Sequence, residues 1–83
     1  MKLNFFFYIL QCQDGSLYCG ITKDLRSREK THNLGKGSVY VRSRGGGKIV
    51  YFEIFKKIGQ ALKREAEVKK WPRRQKLNLI KSV

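Results

Sequence analysis

Two phenols, a guanidinium, an imidazole and a carboxylate make up the reactive inventory of this chain: Tyr8, Tyr18, Arg28, His32 and Glu65. Glu65 is the most unusual by position. Ile58, Ala61, Leu62 and Val68 mark an apolar stripe on a helix expected over about 59–70, and Glu65 lies inside it, three residues from both Leu62 and Val68. A carboxylate turned toward a core is costly unless it is paired or bound to a cation. Glu65 is therefore either half of a buried ion pair with an arginine or a ligand for a metal, whereas Glu67 points elsewhere on the helix and is solvated. Leu25, Arg28, Glu29 and His32 fall at i, i+3, i+4 and i+7 of an earlier helix, which Thr22 or Asp24 can cap and which runs to about His32. A packed helix would carry aliphatics along this face, yet only Leu25 is apolar. The face is either a solvated surface with an incidental Arg28–His32 pair or the wall of a site.

These groups need elements to hold them, and the hairpin of Phe5–Thr22 is central. Phe5–Leu10 is an aromatic-rich apolar run, too short for a stable helix, and reads as a strand buried on both faces. Leu17–Thr22 is its partner, with Asp14-Gly15 as the turn signal between them. A two-residue loop would put Tyr8 and Tyr18 on opposite faces. A three-residue loop, Gln13-Asp14-Gly15, makes a G1 bulge with Gly15 in the left-handed region, and it sets Tyr8 opposite Gly20 and Leu10 opposite Tyr18. The second register gathers Phe5, Phe7, Ile9, Leu17, Cys19 and Ile21 on one wholly apolar face, so burial selects it. Both phenols then share the other face, and Gly20 leaves room beside Tyr8.

Downstream, residues 33–47 hold five of the eight glycines together with Lys36, Tyr40, Arg42 and Arg44. No GxxxxGK[ST] pattern is present. The segment is expected to be a mobile loop that follows a phosphate backbone with Lys36, Arg42 and Arg44 while Tyr40 stacks on a base, or else a plain flexible connector. Lys48–Phe55 reads as a third strand. Pro72 opens a last helix to about Lys81, with Leu77 and Ile80 inward, Trp71 as a core anchor, and Arg73, Arg74 and Lys76 adding a basic surface.

Eighty-three residues make one domain with a modest core. Cys12 and Cys19 lie on opposite strand faces, which argues against a disulfide, and with a single histidine a closed zinc site is out of reach. No apolar run approaches the roughly 20 residues of a membrane span, and no signal peptide is recognisable, so the chain is expected to be cytoplasmic. Nineteen Lys and Arg against six Asp and Glu give a formal charge of +13, which points to a polyanion partner, nucleic acid before an anionic membrane.

Tyr8 closing an apolar strand, followed by Tyr18-Cys19-Gly20, resembles the two half-motifs of the GIY-YIG nuclease superfamily, although Phe6-Phe7 stand where Gly-Ile is usual. LYCGIT followed by DLRSR is most similar to the small stand-alone bacterial GIY-YIG proteins of the YhbQ type, themselves similar to the N-terminal incision domain of UvrC. The resemblance implies an α/β (α+β) fold, a three-stranded, mainly antiparallel sheet flanked by three helices. It implies a metal-dependent endonuclease of low sequence specificity acting in DNA repair or nucleic-acid processing, with DNA favoured over RNA, and working as a monomer. Arg28 and His32 match the arginine and histidine that follow the second half-motif. Glu65 in ALKREAEVKKW matches the glutamate that holds one divalent cation, Mg²⁺ or Mn²⁺. The implied roles are Tyr8 as base, with its pKa lowered by nearby cations, Arg28 as phosphate clamp, and Tyr18 and His32 as orienting or relay groups. Gly20, Lys36, Tyr40, Arg42, Arg44, Arg73 and Arg74 are the expected nucleic-acid contacts. The family's asparagine has no secure counterpart among Gln75, Lys76 and Asn78. A binding module without catalysis, or an accessory protein of a repair or ribosomal complex, is the competing expectation.

Overall fold

The computed structural model describes residues 4–82. Strand β1 (Phe5–Cys12) turns back into β2 (Leu17–Thr22), and helix α1 (Leu25–Asn33) follows. A short helix α2 (Val39–Ser43) leads to β3 (Gly47–Phe55), and helices α3 (Ile58–Lys69) and α4 (Arg73–Lys81) complete the chain. The sheet has the order β2-β1-β3 and is antiparallel throughout.

The hairpin adopts the bulged register. Tyr8 pairs with Gly20 and Leu10 with Tyr18. The Cys12 N–H donates to the Ser16 carbonyl at 2.8 Å, the Gly15 N–H donates to the Cys12 carbonyl at 2.9 Å, and Gly15 sits at φ 87°. That left-handed conformation is open to glycine without strain. Because side chains alternate, the register divides the apolar residues into two cores, one on each side of β1. Phe7, Ile9, Cys19 and Val68 form one, joined by Tyr51, Trp71, Leu79 and Ile80. Tyr8, Leu10, Cys12 and Val41 form the other, joined by Tyr18, Leu25 and Ile49. Helices α3 and α4 thus cover one face, and α1 and α2 the other. The two cysteines belong to different cores and are free. Trp71 is an anchor of the first core, as its place at a helix junction suggests.

Three expectations are corrected. Residues 33–47 are not a featureless loop: Ser38 caps a five-residue helix by accepting from the Tyr40 N–H, and Val41 is fully buried. The many glycines bracket this turn of helix rather than dissolve it. In α3, Ile58 and Leu62 are 49% and 46% exposed, and Ala61 and Val68 face the sheet instead. Arg64 explains this rotation. It forms a double hydrogen bond with Glu53 of β3 (Nε–Oε1 2.9 Å, Nη2–Oε2 3.0 Å), also pairs with Glu67, and lies 5.2 Å from the Trp71 ring centroid. At the end of the chain, Leu79 and Ile80 rather than Leu77 pack on the first core.

That clamp gives a stability prediction. Tyr51 donates to Glu53 at 2.5 Å, and burial together with the Glu53 carboxylate pushes Tyr51 up to about 12. Burial opposes the charge of Glu53, but hydrogen bonds from Arg64 and Tyr51 hold its carboxyl below the usual value. Arg64→Ala leaves Glu53 half-buried without its main partner and should cost about 1–3 kcal/mol in urea unfolding at neutral pH. A carboxyl depressed in the fold stabilises above its unfolded pKa and loses that effect as pH falls through the folded value. The difference between wild type and Glu53→Gln should therefore shrink below pH 4.5.

Candidate active site

Tyr8 is 2% exposed, and its hydroxyl is hydrogen-bonded to His32 Nε2 at 3.0 Å. His32 comes from α1, where its i+7 spacing from Leu25 turns it inward, and it too is only 2% exposed. Tyr18, half-buried on β2, completes the cluster with ring centroids 6.4 Å from Tyr8 and 5.4 Å from His32. Two glycines make this packing possible. A Cβ on Gly20 would lie 2.6 Å from the Tyr8 hydroxyl oxygen, and one on Gly37 would lie 2.5 Å from His32 Nδ1. Real Cβ atoms do not approach so closely, so both positions need glycine for space rather than for backbone freedom.

Arg28 and Glu65 flank this trio. Arg28 is exposed on α1 and lines an open groove of about 550 Å³ with Ile21, Thr22, Lys23, Ser27 and Thr31. Its charge is felt at both Tyr8 and His32. Burial, helped by Arg28, lowers the His32 pKa and keeps the imidazole neutral. Burial, with a contribution from Tyr18, raises the Tyr8 pKa, and the lowering by Arg28 does not offset it. In the protein alone burial outweighs Arg28, and the hydroxyl is too well removed from water to ionise readily.

Glu65 is half-buried on α3, 21% exposed, with its carboxylate 3.8 Å from Lys69 Nζ and no arginine partner among the described residues. Its charge reaches Tyr8 and Cys19 from the helix that covers the other face of the sheet. A lone carboxylate suits a hard cation that keeps most of its water, such as Mg²⁺ or Mn²⁺. Among the described residues no group of three or more His, Cys, Asp or Glu converges. Glu65 fits the protein's share of such a site, with water and a phosphate oxygen as the other ligands.

Of the expected nucleic-acid contacts, Lys36 and Arg42 are exposed on the segment that covers the Tyr8 face. Arg44 and Tyr40 are already engaged with each other. The Arg44 guanidinium lies 3.8 Å from the Tyr40 ring centroid, and Nη1 donates to the Tyr40 carbonyl. Arg44 Nε is 3.4 Å from Asp14 Oδ2, close enough for an ion pair although not aligned for a hydrogen bond. The Tyr40 ring also rests 5.9 Å from that of Tyr18, so it is no free stacking platform. Arg73 and Arg74 are exposed on α4, which covers the opposite face of the sheet. The structure does not bring them to Tyr8.

Two further α1 residues support the site. Glu29 Oε2 accepts from the Ile49 N–H at 2.6 Å, where β3 bulges. The Asn33 side chain bridges the Glu29 carbonyl to both the N–H and the carbonyl of Gly47. They pin α1 across the sheet, and nothing in the sequence pairs them with β3.

The family described as the GIY-YIG catalytic domain matches residues 4–78, and the chain belongs to that family. It is 52% identical over 75 residues to the UPF0213 protein CPE1444 of Clostridium perfringens, a match covering 90% of this chain and 81% of that one. It is 46% identical over 76 residues to a UPF0213 protein of Staphylococcus aureus, covering 92% and 93%. The solution NMR structure of the UPF0213 protein BH0048 from Bacillus halodurans superposes with a TM-score of 0.61 at 42% identity, over 95% of this chain and 84% of that one. Among the described residues no helix is long and apolar enough to cross a membrane.

Proposed function

We propose that this protein is a small, single-domain, cytoplasmic GIY-YIG endonuclease that hydrolyses DNA phosphodiester bonds with low sequence specificity, in DNA repair or nucleic-acid processing. The observation that carries this reading is the hydrogen-bonded Tyr8–His32 pair with Tyr18 packed on it, flanked by the Arg28 and Glu65 charges. Arg28, at the rim of an open groove, offers a planar bidentate donor to the scissile phosphate. Glu65 would hold the divalent cation, which when bound would supply Lewis acidity and positive charge for phosphoryl transfer. Tyr8 gives its own proton to solvent and then takes one from the attacking water, and Tyr18 and His32 orient the water or the phenol. Its raised pKa keeps Tyr8 protonated at rest, so it would serve as a base only where positive charge beside it outweighs the burial of the hydroxyl. Lys36, Arg42 and the general charge of +13 supply the affinity, and little on the surface reads base edges.

Incubation of the protein with supercoiled plasmid and with labelled single-stranded DNA, in Mg²⁺, Mn²⁺ or EDTA, tests this reading. Nicking that requires metal and stops in EDTA is the expected result. Retention of DNA without cutting under every condition would instead support the second reading, a nucleic-acid grip within a larger complex, which the protonated resting state of Tyr8 favours.

A further inference from the structure

The two nitrogens of His32 have different neighbours, and one of those neighbours can act only as a donor. The Ser38 backbone N–H donates to Nδ1 at 3.4 Å, brought there by Gly37, whose missing side chain lets the chain lie against the ring. A backbone amide cannot accept a hydrogen bond, so Nδ1 must be the unprotonated nitrogen. In a neutral imidazole the proton is then on Nε2, the atom 3.0 Å from the Tyr8 oxygen.

We infer that the Ser38 backbone N–H is a positioning group that locks His32 in its Nε2–H form, so that His32 donates to the Tyr8 oxygen instead of receiving its proton. The consequence for chemistry is directional. Tyr8 must turn its own hydroxyl hydrogen away from the imidazole, toward the water and phosphate side. Loss of that hydrogen to solvent leaves a phenolate that already holds one hydrogen bond from Nε2–H. His32 is thereby an orienting donor and not a proton relay. The inference rests on Tyr8 being the reactive phenol, yet its geometry is readable without any cleavage assay.

Ser38 has φ −64°, the angle that a proline ring imposes, so Ser38→Pro deletes the N–H without straining its own backbone, and the ring Cδ that takes the hydrogen's place also pushes the imidazole back from Ser38. Ser38→Ala removes the helix-capping hydroxyl and keeps the N–H, which makes it the control for lost capping. The experiment is nitrogen-15 NMR of the single histidine at neutral pH in wild type and both variants. Wild type and Ser38→Ala should show a pyrrole-type Nε2 and a pyridine-type Nδ1, and Ser38→Pro should shift population toward Nδ1–H. In the metal-dependent nicking assay, Ser38→Pro should then be about tenfold slower than Ser38→Ala, the scale of one lost orienting hydrogen bond. A wild-type spectrum with the proton on Nδ1 would overturn the inference by itself, whether or not the proline variant folds. An unchanged tautomer in a folded Ser38→Pro would overturn it as well. Absence of nicking in wild type would count against the nuclease reading and leave the tautomer result standing.

Discussion

Glu65→Ala should abolish metal-dependent cutting and at the same time slightly tighten DNA binding. Removing a carboxylate that holds the catalytic charge should lower the nicking rate by about 10²–10³-fold or more, the scale seen when one transition-state stabiliser is deleted. Binding should move in the other direction, because the substitution raises the formal charge above +13 and frees Lys69 from its only ion pair among the described residues. The fold should be little affected, since a 3.8 Å pair with a lysine 59% exposed contributes at most about 1 kcal/mol. Plasmid nicking, fluorescence anisotropy with labelled DNA and urea unfolding check the three parts. Loss of binding together with cutting would place Glu65 in the structural framework and not at the cation.

Gly20→Ala should disrupt both the fold and the Tyr8–His32 pair. The added Cβ would stand 2.6 Å from the Tyr8 oxygen and 2.7 Å from its Cζ. Tyr8 is buried in the second core and cannot swing aside as a surface side chain could. We expect a loss of about 1–3 kcal/mol in unfolding free energy, the usual cost of forcing extra volume into a packed interior. Displacement of the phenol from His32 should slow nicking as well. Tyr8→Phe in the Gly20→Ala background should restore only part of the stability, because the ring carbon remains too close after the oxygen is gone. Full recovery in that double variant would mean that the hydroxyl alone made the clash. No loss in Gly20→Ala would mean that the β1–β2 pairing is looser than the Tyr8–Gly20 register implies.

The hairpin could be read from the chain because two local signals agree there. Asp14-Gly15 limits the loop, and only one register gathers Phe5, Phe7, Ile9, Leu17, Cys19 and Ile21 on one wholly apolar face. Arg28 and His32 were legible for a similar reason, since helical spacing fixes their relation to Leu25. Glu65 was legible as an anomaly but misplaced, because the stripe that seemed to enclose it included Ile58 and Leu62. Which way α3 faces is decided by Arg64, Glu53 and Trp71, residues far apart in sequence. The engagement of Arg44 by Asp14 and Tyr40 was likewise invisible, being a tertiary meeting of a hairpin turn with a short helix. Ser38 did carry a helix-capping signal, overshadowed by the surrounding glycines.

Strand β3 lies at the rim of the sheet, its outer edge unpaired among the described residues, and its Phe52 and Ile54 are 49% and 57% exposed. An apolar rim of this kind invites a second molecule to add its own strand. What holds two copies apart is colloidal: each carries the same large positive charge, and like-charged particles repel at a distance. That barrier is thin in strong salt, where the screening length falls to about 3 Å at 1 M. On the proposed reading, salt strong enough to strip a bound polyanion should also let the bare rims meet. Freedom from self-association and grip on a polyanion would then rest on the same charge, and both are expected to weaken together as salt rises.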